Sequence, residues 1–163
     1  MKKIVGISIL VVVLAACGSA NKEKGAETGL ADFTLQALDG TEVNLTDSKG
    51  QVVIIDFWAT WCPPCRNSIP TFIRLHEKYS ESGLVILGIG LDDEPALQKF
   101  AKDAGIPYLV LVGNNDIAKA YGVTGIPKTI FVDKKGKIRK TQVGFAPELE
   151  ASFDTLVDSL LSE

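Results

Sequence analysis

Apolar residues recur along this chain in two rhythms, and the switches between them divide it into short strands and helices. Residues 52–57, Val-Val-Ile-Ile-Asp-Phe, are apolar almost throughout, as are residues 84–91; both read as central strands covered on two faces. Residues 33–37 and 42–45 flank Asp39-Gly40, a hairpin signal. Further strands are predicted at 108–112, 129–132 and 138–143. Between them the spacing lengthens to that of helices. One helix begins after Cys62 and runs to about residue 82, with Ile69, Phe72, Ile73 and Tyr79 along a stripe and a kink expected at Pro70. A second starts near Pro95 with Asp93 as its cap and presents Leu97, Phe100, Ala101 and Ala104 on one face. A short helix is expected around 117–121. A closing helix carries Leu149, Phe153, Leu156, Val157, Leu160 and Leu161 on its core face. Strand alternating with helix implies an α/β domain, and such sheets place chemistry at the C-terminal ends of strands.

The first residues obey a different logic. Lys2 and Lys3 precede thirteen uncharged residues, 4–16, which suits the apolar region of a signal peptide and is too short for an ordinary membrane span. Leu14, Ala15, Ala16 and Cys17 resemble the bacterial lipobox, in which cleavage leaves the cysteine as a lipidated N-terminus. Residues 1–16 are therefore expected to be a lipoprotein signal peptide. Residues 17–30 follow as the lipidated Cys17 and a flexible tether of Gly, Ser, Ala, Asn, Lys, Glu and Thr, reaching on the order of 20 Å as a coil and at most roughly 40 Å extended. Residues 31–163 form one domain, long enough to bury a genuine core.

Removal of Lys2 and Lys3 takes the formal charge from −3 to −5, and with few basic clusters nucleic acid is not an expected partner. The run Lys134, Lys135, Gly136, Lys137 reads as a charged hairpin turn with the glycine at its tip. Three cysteines are an odd number for an exported chain. Lipid on Cys17 leaves Cys62 and Cys65 as one closed pair.

That pair carries the chemistry. Trp58-Ala59-Thr60-Trp61-Cys62-Pro63-Pro64-Cys65 follows the apolar strand directly, so two thiols separated by one helical turn lie where a strand gives way to a helix, close enough to form a disulfide and reopen it. Pro63 and Pro64 fit a first helical turn, whose amides lack partners and whose φ matches theirs. Cys62, at the helix N-terminus, faces free amides and the positive end of the dipole, which favour its thiolate and make it the attacking thiol; Cys65, a turn deeper, is the resolving one. Arg66 is placed to add positive charge nearby or to remain a solvated surface residue.

Other chemistries fare less well. A zinc site needs four ligands, and beyond the pair the soft donors are His76 and Cys17; no metal and no cofactor other than the Cys62–Cys65 disulfide is expected. A static structural disulfide is the other bland reading, and prolines holding both thiols at a helix start argue against it. His76 stands fourteen residues beyond Cys62, about 20 Å along a helix, too far for a general base, and reads as a half-buried packing residue. Trp58 and Trp61 read as packing residues that shield and shape the site. Asp92, Asp93 and Glu94 read as a helix-start cluster rather than a cation site.

The stretch from Asp32 onward resembles the thioredoxin-like domain of membrane-anchored thiol–disulfide reductases of the TlpA/ResA type. The matching pieces are Asp32-Phe33-Thr34-Leu35, the run from Phe57 to Cys65, Tyr121-Gly122-Val123-Thr124-Gly125-Ile126-Pro127, and Phe131-Val132-Asp133. The resemblance implies a thioredoxin-like fold: a central mixed sheet flanked by helices, with an N-terminal β-hairpin extension. It makes Pro127 a cis-proline facing the cysteines and gives Ile126 a backbone that an extended substrate pairs with like an added strand. Trp61 and Pro63 join Ile126 and Pro127 as the expected substrate-binding residues. Without it, Gly125-Ile126-Pro127 would read as a turn. Lys128 departs from the small polar residue often found after this proline. Ser68 stands where many relatives carry a glutamate. Asp56 instead matches the buried aspartate of thioredoxin, six residues before the first cysteine, and is the expected proton carrier for Cys65, its carboxyl raised by an apolar strand.

Three functional classes follow. The first is an exported, lipid-anchored thiol–disulfide oxidoreductase facing the periplasm or the outer side of the cytoplasmic membrane, a monomer that exchanges electrons with protein disulfides and a membrane donor. The Pro-Pro dipeptide lacks the histidine of strongly oxidising relatives and favours the reducing direction; cytochrome c maturation is one role of the family. The second is a peroxiredoxin-like antioxidant, which usually carries Thr-x-x-Cys, whereas Thr60 precedes Cys62 by two; peroxide consumption discriminates. The third is a non-catalytic binding module, marked by binding without turnover.

Overall fold

A computed structural model describes residues 30–163; the signal segment, Cys17 and nearly all of the tether lie outside the described residues. Seven strands and four helices follow one another as β1 (Thr34–Gln36), β2 (Glu42–Asn44), β3 (Val52–Trp58), α1 (Pro63–Tyr79), β4 (Leu84–Gly90), α2 (Glu94–Ala104), β5 (Leu109–Val112), α3 (Asn115–Ala120), β6 (Lys128–Val132), β7 (Ile138–Val143) and α4 (Leu149–Ser162). Five strands make one sheet in the order β5-β4-β3-β6-β7. β3 is central and all seven of its residues are buried, which explains its continuous apolar run. It pairs parallel with β4 and antiparallel with β6; β4–β5 is parallel and β6–β7 antiparallel, so the sheet is mixed.

The pleat divides the core in two. Val52, Ile54 and Trp58 face one side, where they meet Ile69, Phe72 and Leu75 of α1, Leu97 of α2 and Phe153, Val157 and Leu160 of α4. Val53, Ile55 and Phe57 face the other, against Ile117 of α3, Tyr121 and Leu35 of the hairpin. The predicted core face of α4 is met in full. Gly90 admits α2 closely: a Cβ there would lie 2.3 Å from Cδ2 of Leu97.

The hairpin of β1 and β2 turns at Asp39-Gly40, with Gly40 at φ +86° and the Thr41 amide donating to Asp39 Oδ1 at 3.0 Å. It does not join the sheet as a full strand but covers its β5 edge, through a bridge between Ala37 and Leu111 and a bond from the Leu38 amide to the Val110 carbonyl at 3.0 Å.

Two expectations are corrected. The helix after Cys62 stops at Tyr79; Ser80–Ser82 tightens into a 3-10 turn that ends at Gly83 with φ +99°, because the chain must reverse there to enter β4. Ala104 is exposed; the core face of α2 ends with Phe100 and Ala101, one turn before the helix stops at Gly105 with φ +63°.

Candidate functional site

Cys62 is the residue that starts α1. Its backbone is extended, Pro63 and Pro64 fill the first helical positions, and its Sγ accepts from the Cys65 amide at 3.3 Å. Cys62 and Cys65 form a disulfide with their Cα atoms 5.3 Å apart, inside the range such bonds require. Cys65 is fully buried and Cys62 nearly so; Pro63 and Pro64 are exposed beside them. A helix N-terminus with a sulfur accepting its free amide stabilises a thiolate at that sulfur when the bond opens.

The loop before β6 supplies the opposite wall. Ile126-Pro127 is a cis peptide bond, and the Ile126 carbonyl oxygen stands 3.8 Å from Cys62 Sγ, a weak acceptor for the thiol of the reduced protein. Pro127 is buried and Ile126 half-buried. Cys62, Cys65, Pro63, Ile126 and Pro127 are therefore brought together. The two tryptophans part company: Trp58 is buried at 1% exposure, while Trp61 is 68% exposed. Trp61 is thus not a packing residue, because it sits in the loop beyond β3 with no layer above it, and it adds an open apolar surface next to the disulfide.

Asp56 lies at the alternation of Ile54 and Trp58, on the side of β3 that packs α1 and its cysteines. Burial pushes its carboxyl from 3.8 up to about 7, while a hydrogen bond from the Thr129 hydroxyl, 2.7 Å to Oδ1, pulls the other way. Burial, then the nearby Asp56 charge, pushes the Tyr108 hydroxyl well above its ordinary value, so it stays neutral. Gly88, opposite Asp56 on β4, leaves room for this cluster: a Cβ there would lie 3.2 Å from both Trp58 Nε1 and Tyr108 Cε2. Among the described residues Trp58 Nε1 is buried without a hydrogen-bond partner. His76 is half-buried against Tyr108, ring centres 6.3 Å apart, a packing position.

Three further contacts had no signal in the sequence. Asp92 Oδ2 accepts from the Thr60 amide at 2.6 Å and from its hydroxyl at 2.7 Å, fixing the loop that leads to Cys62. Asp93 caps α2 by accepting from the Ala96 amide at 3.0 Å, as the sequence suggests, whereas its neighbour Asp92 serves the loop before Cys62 instead of the helix start. Arg66 lies over the Phe100 ring at 5.8 Å, and Phe100 in turn packs on Trp58 at 5.4 Å. Ser68 is buried and donates to the Cys65 carbonyl at 2.8 Å.

Among the described residues no group of three or more His, Cys, Asp and Glu is placed to hold a metal, and no helix is long and apolar enough to cross a membrane. A groove of about 500 Å³ between α1 and α4, flanked by the Arg74–Glu150 and Lys78–Asp154 ion pairs, shares no residue with the surroundings of the disulfide.

The sequence profile of the AhpC/TSA family matches residues 27–141. The chain is 38% identical over 116 residues to the thiol-disulfide oxidoreductase ResA of Geobacillus thermodenitrificans, covering 69% of this chain and 66% of that protein. It is 31% identical over 142 residues to ResA of Bacillus thuringiensis subsp. konkukian, covering 79% and 82%. Among solved structures, one from Chlorobium tepidum described as a thiol:disulfide interchange protein DsbE superposes with a TM-score of 0.77 at 32% identity, over 80% of this chain and 94% of that one.

Proposed function

This chain belongs to the AhpC/TSA thioredoxin-like family as a thiol–disulfide oxidoreductase of the TlpA/ResA type, and from that membership we propose that it is a lipid-anchored reductase of protein disulfides outside the cytoplasm. The observation that carries the reading is the disulfide at the N-terminus of α1, with the Ile126 carbonyl 3.8 Å from Cys62 Sγ. One sulfur caps the helix, the other is buried a turn deeper, and a backbone carbonyl lies alongside the first, which supports Cys62 as the attacking thiol.

In the proposed cycle the Cys62 thiolate, held by the free amides of α1, attacks one sulfur of the substrate disulfide. The substrate S–S bond breaks, one substrate sulfur leaves as thiolate, and the other is joined to Cys62. Asp56, as carboxylate, takes the proton of the buried Cys65 thiol; a carboxyl near neutrality exists in both forms at working pH. The Cys65 thiolate attacks Cys62 Sγ, the mixed disulfide breaks, and the second substrate sulfur is released. Two electrons pass from the cysteine pair to the substrate. A dithiol donor at the membrane returns them. The polypeptide around the substrate disulfide pairs as an added strand with the backbone of Ile126, beside Pro127, Pro63 and the open Trp61.

Lipid on Cys17 and the tether to residue 30 hold the domain near its membrane. Haem-binding cysteine pairs of cytochromes c are a substrate class that suits a reductase in this place. Cys65→Ser tests the cycle: it removes the resolving thiol, and mixed disulfides through Cys62 should accumulate and name the substrates by mass spectrometry. Trapping through Cys65 alone, in the reciprocal variant, reverses the assigned roles. A Cys62–Cys65 potential near −120 mV, the oxidising end of the range for such pairs, would overturn the reducing direction, and rapid peroxide consumption would favour the antioxidant class.

A further inference from the structure

Lys128 follows Pro127 directly, and its ammonium is spent on the chain's own backbone. Nζ donates to the carbonyl oxygens of Tyr121 at 2.6 Å and Gly122 at 2.8 Å, and among the ion pairs of the described residues Lys128 has none. Those two carbonyls are left over by the way α3 ends. The Gly122 amide donates to Lys119 O at 3.0 Å and the Val123 amide to Ala118 O at 2.8 Å, with Gly122 at φ +58°, the double closure that commonly stops a helix. The carbonyls of Tyr121 and Gly122 lie beyond that closure, and a cation at a helix C-terminus is the favoured partner for them.

The consequence falls on the loop between these groups. Tyr121 to Pro127 connects α3 to β6; Tyr121 and Pro127 are buried and Val123 and Ile126 pack against the core, while Gly122 and Thr124 are exposed, and Gly122 and Gly125 lend the backbone between these anchors conformational freedom. Its far end is fastened just past β7, where the Gly144 amide donates to Pro127 O at 2.8 Å. Its near end is fastened by the Tyr121 hydroxyl on the Ala31 carbonyl and by Lys128. Ile126, whose carbonyl faces Cys62 Sγ and whose side chain packs on the core, lies between these fastenings.

We propose that Lys128 is a positioning residue: by drawing the base of the 121–127 loop onto β6, it sets the Ile126-Pro127 edge over Cys62 and thereby favours extended polypeptide disulfides over small ones. This rests on the reductase reading above. A small disulfide needs only access to Cys62 Sγ. A polypeptide disulfide needs the backbone edge as well, at the right height, because misplacement of an added strand loses its main-chain hydrogen bonds.

The test compares wild type, Lys128→Met and Lys128→Arg, all with the Cys62–Cys65 pair pre-reduced and followed through a single turnover with substrate in excess, so that KM stands for the half-saturating substrate concentration and kcat for the limiting rate, on two substrates: a disulfide-linked extended peptide and the small aromatic disulfide 5,5′-dithiobis(2-nitrobenzoate). Lys128→Met keeps the alkyl stem and removes the charged donors. It should raise KM for the peptide roughly 5-fold to 50-fold, the scale of losing hydrogen bonds to a charged group, with kcat at saturation and the rate on the small disulfide within about threefold of wild type. The reduction potential of the pair should not move. Lys128→Arg, which retains donors, should lie closer to wild type than Lys128→Met. Equal loss on both substrates, or a shifted potential, would make Lys128 a general stabiliser of the domain and overturn the proposal; an unchanged peptide KM would overturn it too. Wild-type protein that reduces neither substrate would instead overturn the reductase reading on which it depends.

Discussion

Thr129 donates its hydroxyl to Oδ1 of Asp56 at 2.7 Å from the directly opposite position on the neighbouring antiparallel strand. The pairing register fixes that contact, and two opposed influences meet at the carboxyl: burial lifts it, and the hydroxyl favours its charged form. Burial prevails. In the unfolded chain the group titrates near 3.8, whereas in the folded one it keeps its proton to about 7. Between those values the folded state binds the extra proton, so this residue's contribution to stability falls as pH rises from about 4 to about 7 and stays low above, a cost of up to about 4 kcal/mol.

Asp56→Asn should therefore stabilise the protein above about pH 7 and leave it nearly unchanged near pH 4, a difference that urea unfolding at the two pH values measures. The same variant should slow resolution of the mixed disulfide by about 10-fold to 10⁴-fold, the upper part being the range of general acid–base help. Rapid-mixing rates from about pH 6 to 9 decide the point; equal rates and profiles would leave Asp56 a structural residue.

Thr129→Val removes the donor that favours the carboxylate. The pH–rate profile of disulfide exchange should move to higher pH with its plateau retained, and stability near pH 8 should drop by about 1–3 kcal/mol, more than near pH 4, where the carboxyl is protonated in both proteins. A profile that moves to lower pH contradicts the assigned direction.

Asp92 fastens the loop before Cys62 through one oxygen shared by the amide and hydroxyl of Thr60. Asp92→Ala should cost about 1–2 kcal/mol and slow reaction at Cys62, while Asp92→Asn, which keeps an acceptor oxygen, should recover most of both. Denaturation midpoints and thiol-exchange rates of the two variants separate loss of the acceptor from loss of the charge.

Cys17→Ser should release the protein from membranes, or leave it unprocessed, without altering thiol exchange by the purified domain. Fractionation of cells and the mass of the mature N-terminus check it; unchanged fractionation and processing would defeat the lipid anchor.

What was legible in the sequence is what depends on near neighbours. Cys62, the prolines and Cys65 lie within four positions, so helix geometry alone sets their arrangement, and the core face of α4 follows from its 3.6-residue spacing. Thr129 is 73 positions from Asp56 and Asp92 is 32 from Thr60; only the strand register brings either pair together, and no local pattern encodes it. Trp58 and Trp61 look alike in composition and differ in exposure because one ends a covered strand and the other rides the loop beyond it. The Asp93 cap was readable from its position before an apolar stripe, whereas the role of Lys128 required knowing where α3 ends and which carbonyls its closure leaves over.

The hairpin that lies along β5 has a consequence for molecules crowded side by side. With Ala37 and Leu38 occupying that flank, the five-stranded sheet offers only one unprotected border among the described residues, β7, and that border carries Arg139 and Lys140. Run-on growth of sheets from copy to copy requires two open borders per molecule. A sheet with one such border can at most meet a single neighbour through it, so this five-stranded sheet has no route to run on from copy to copy through its own two borders.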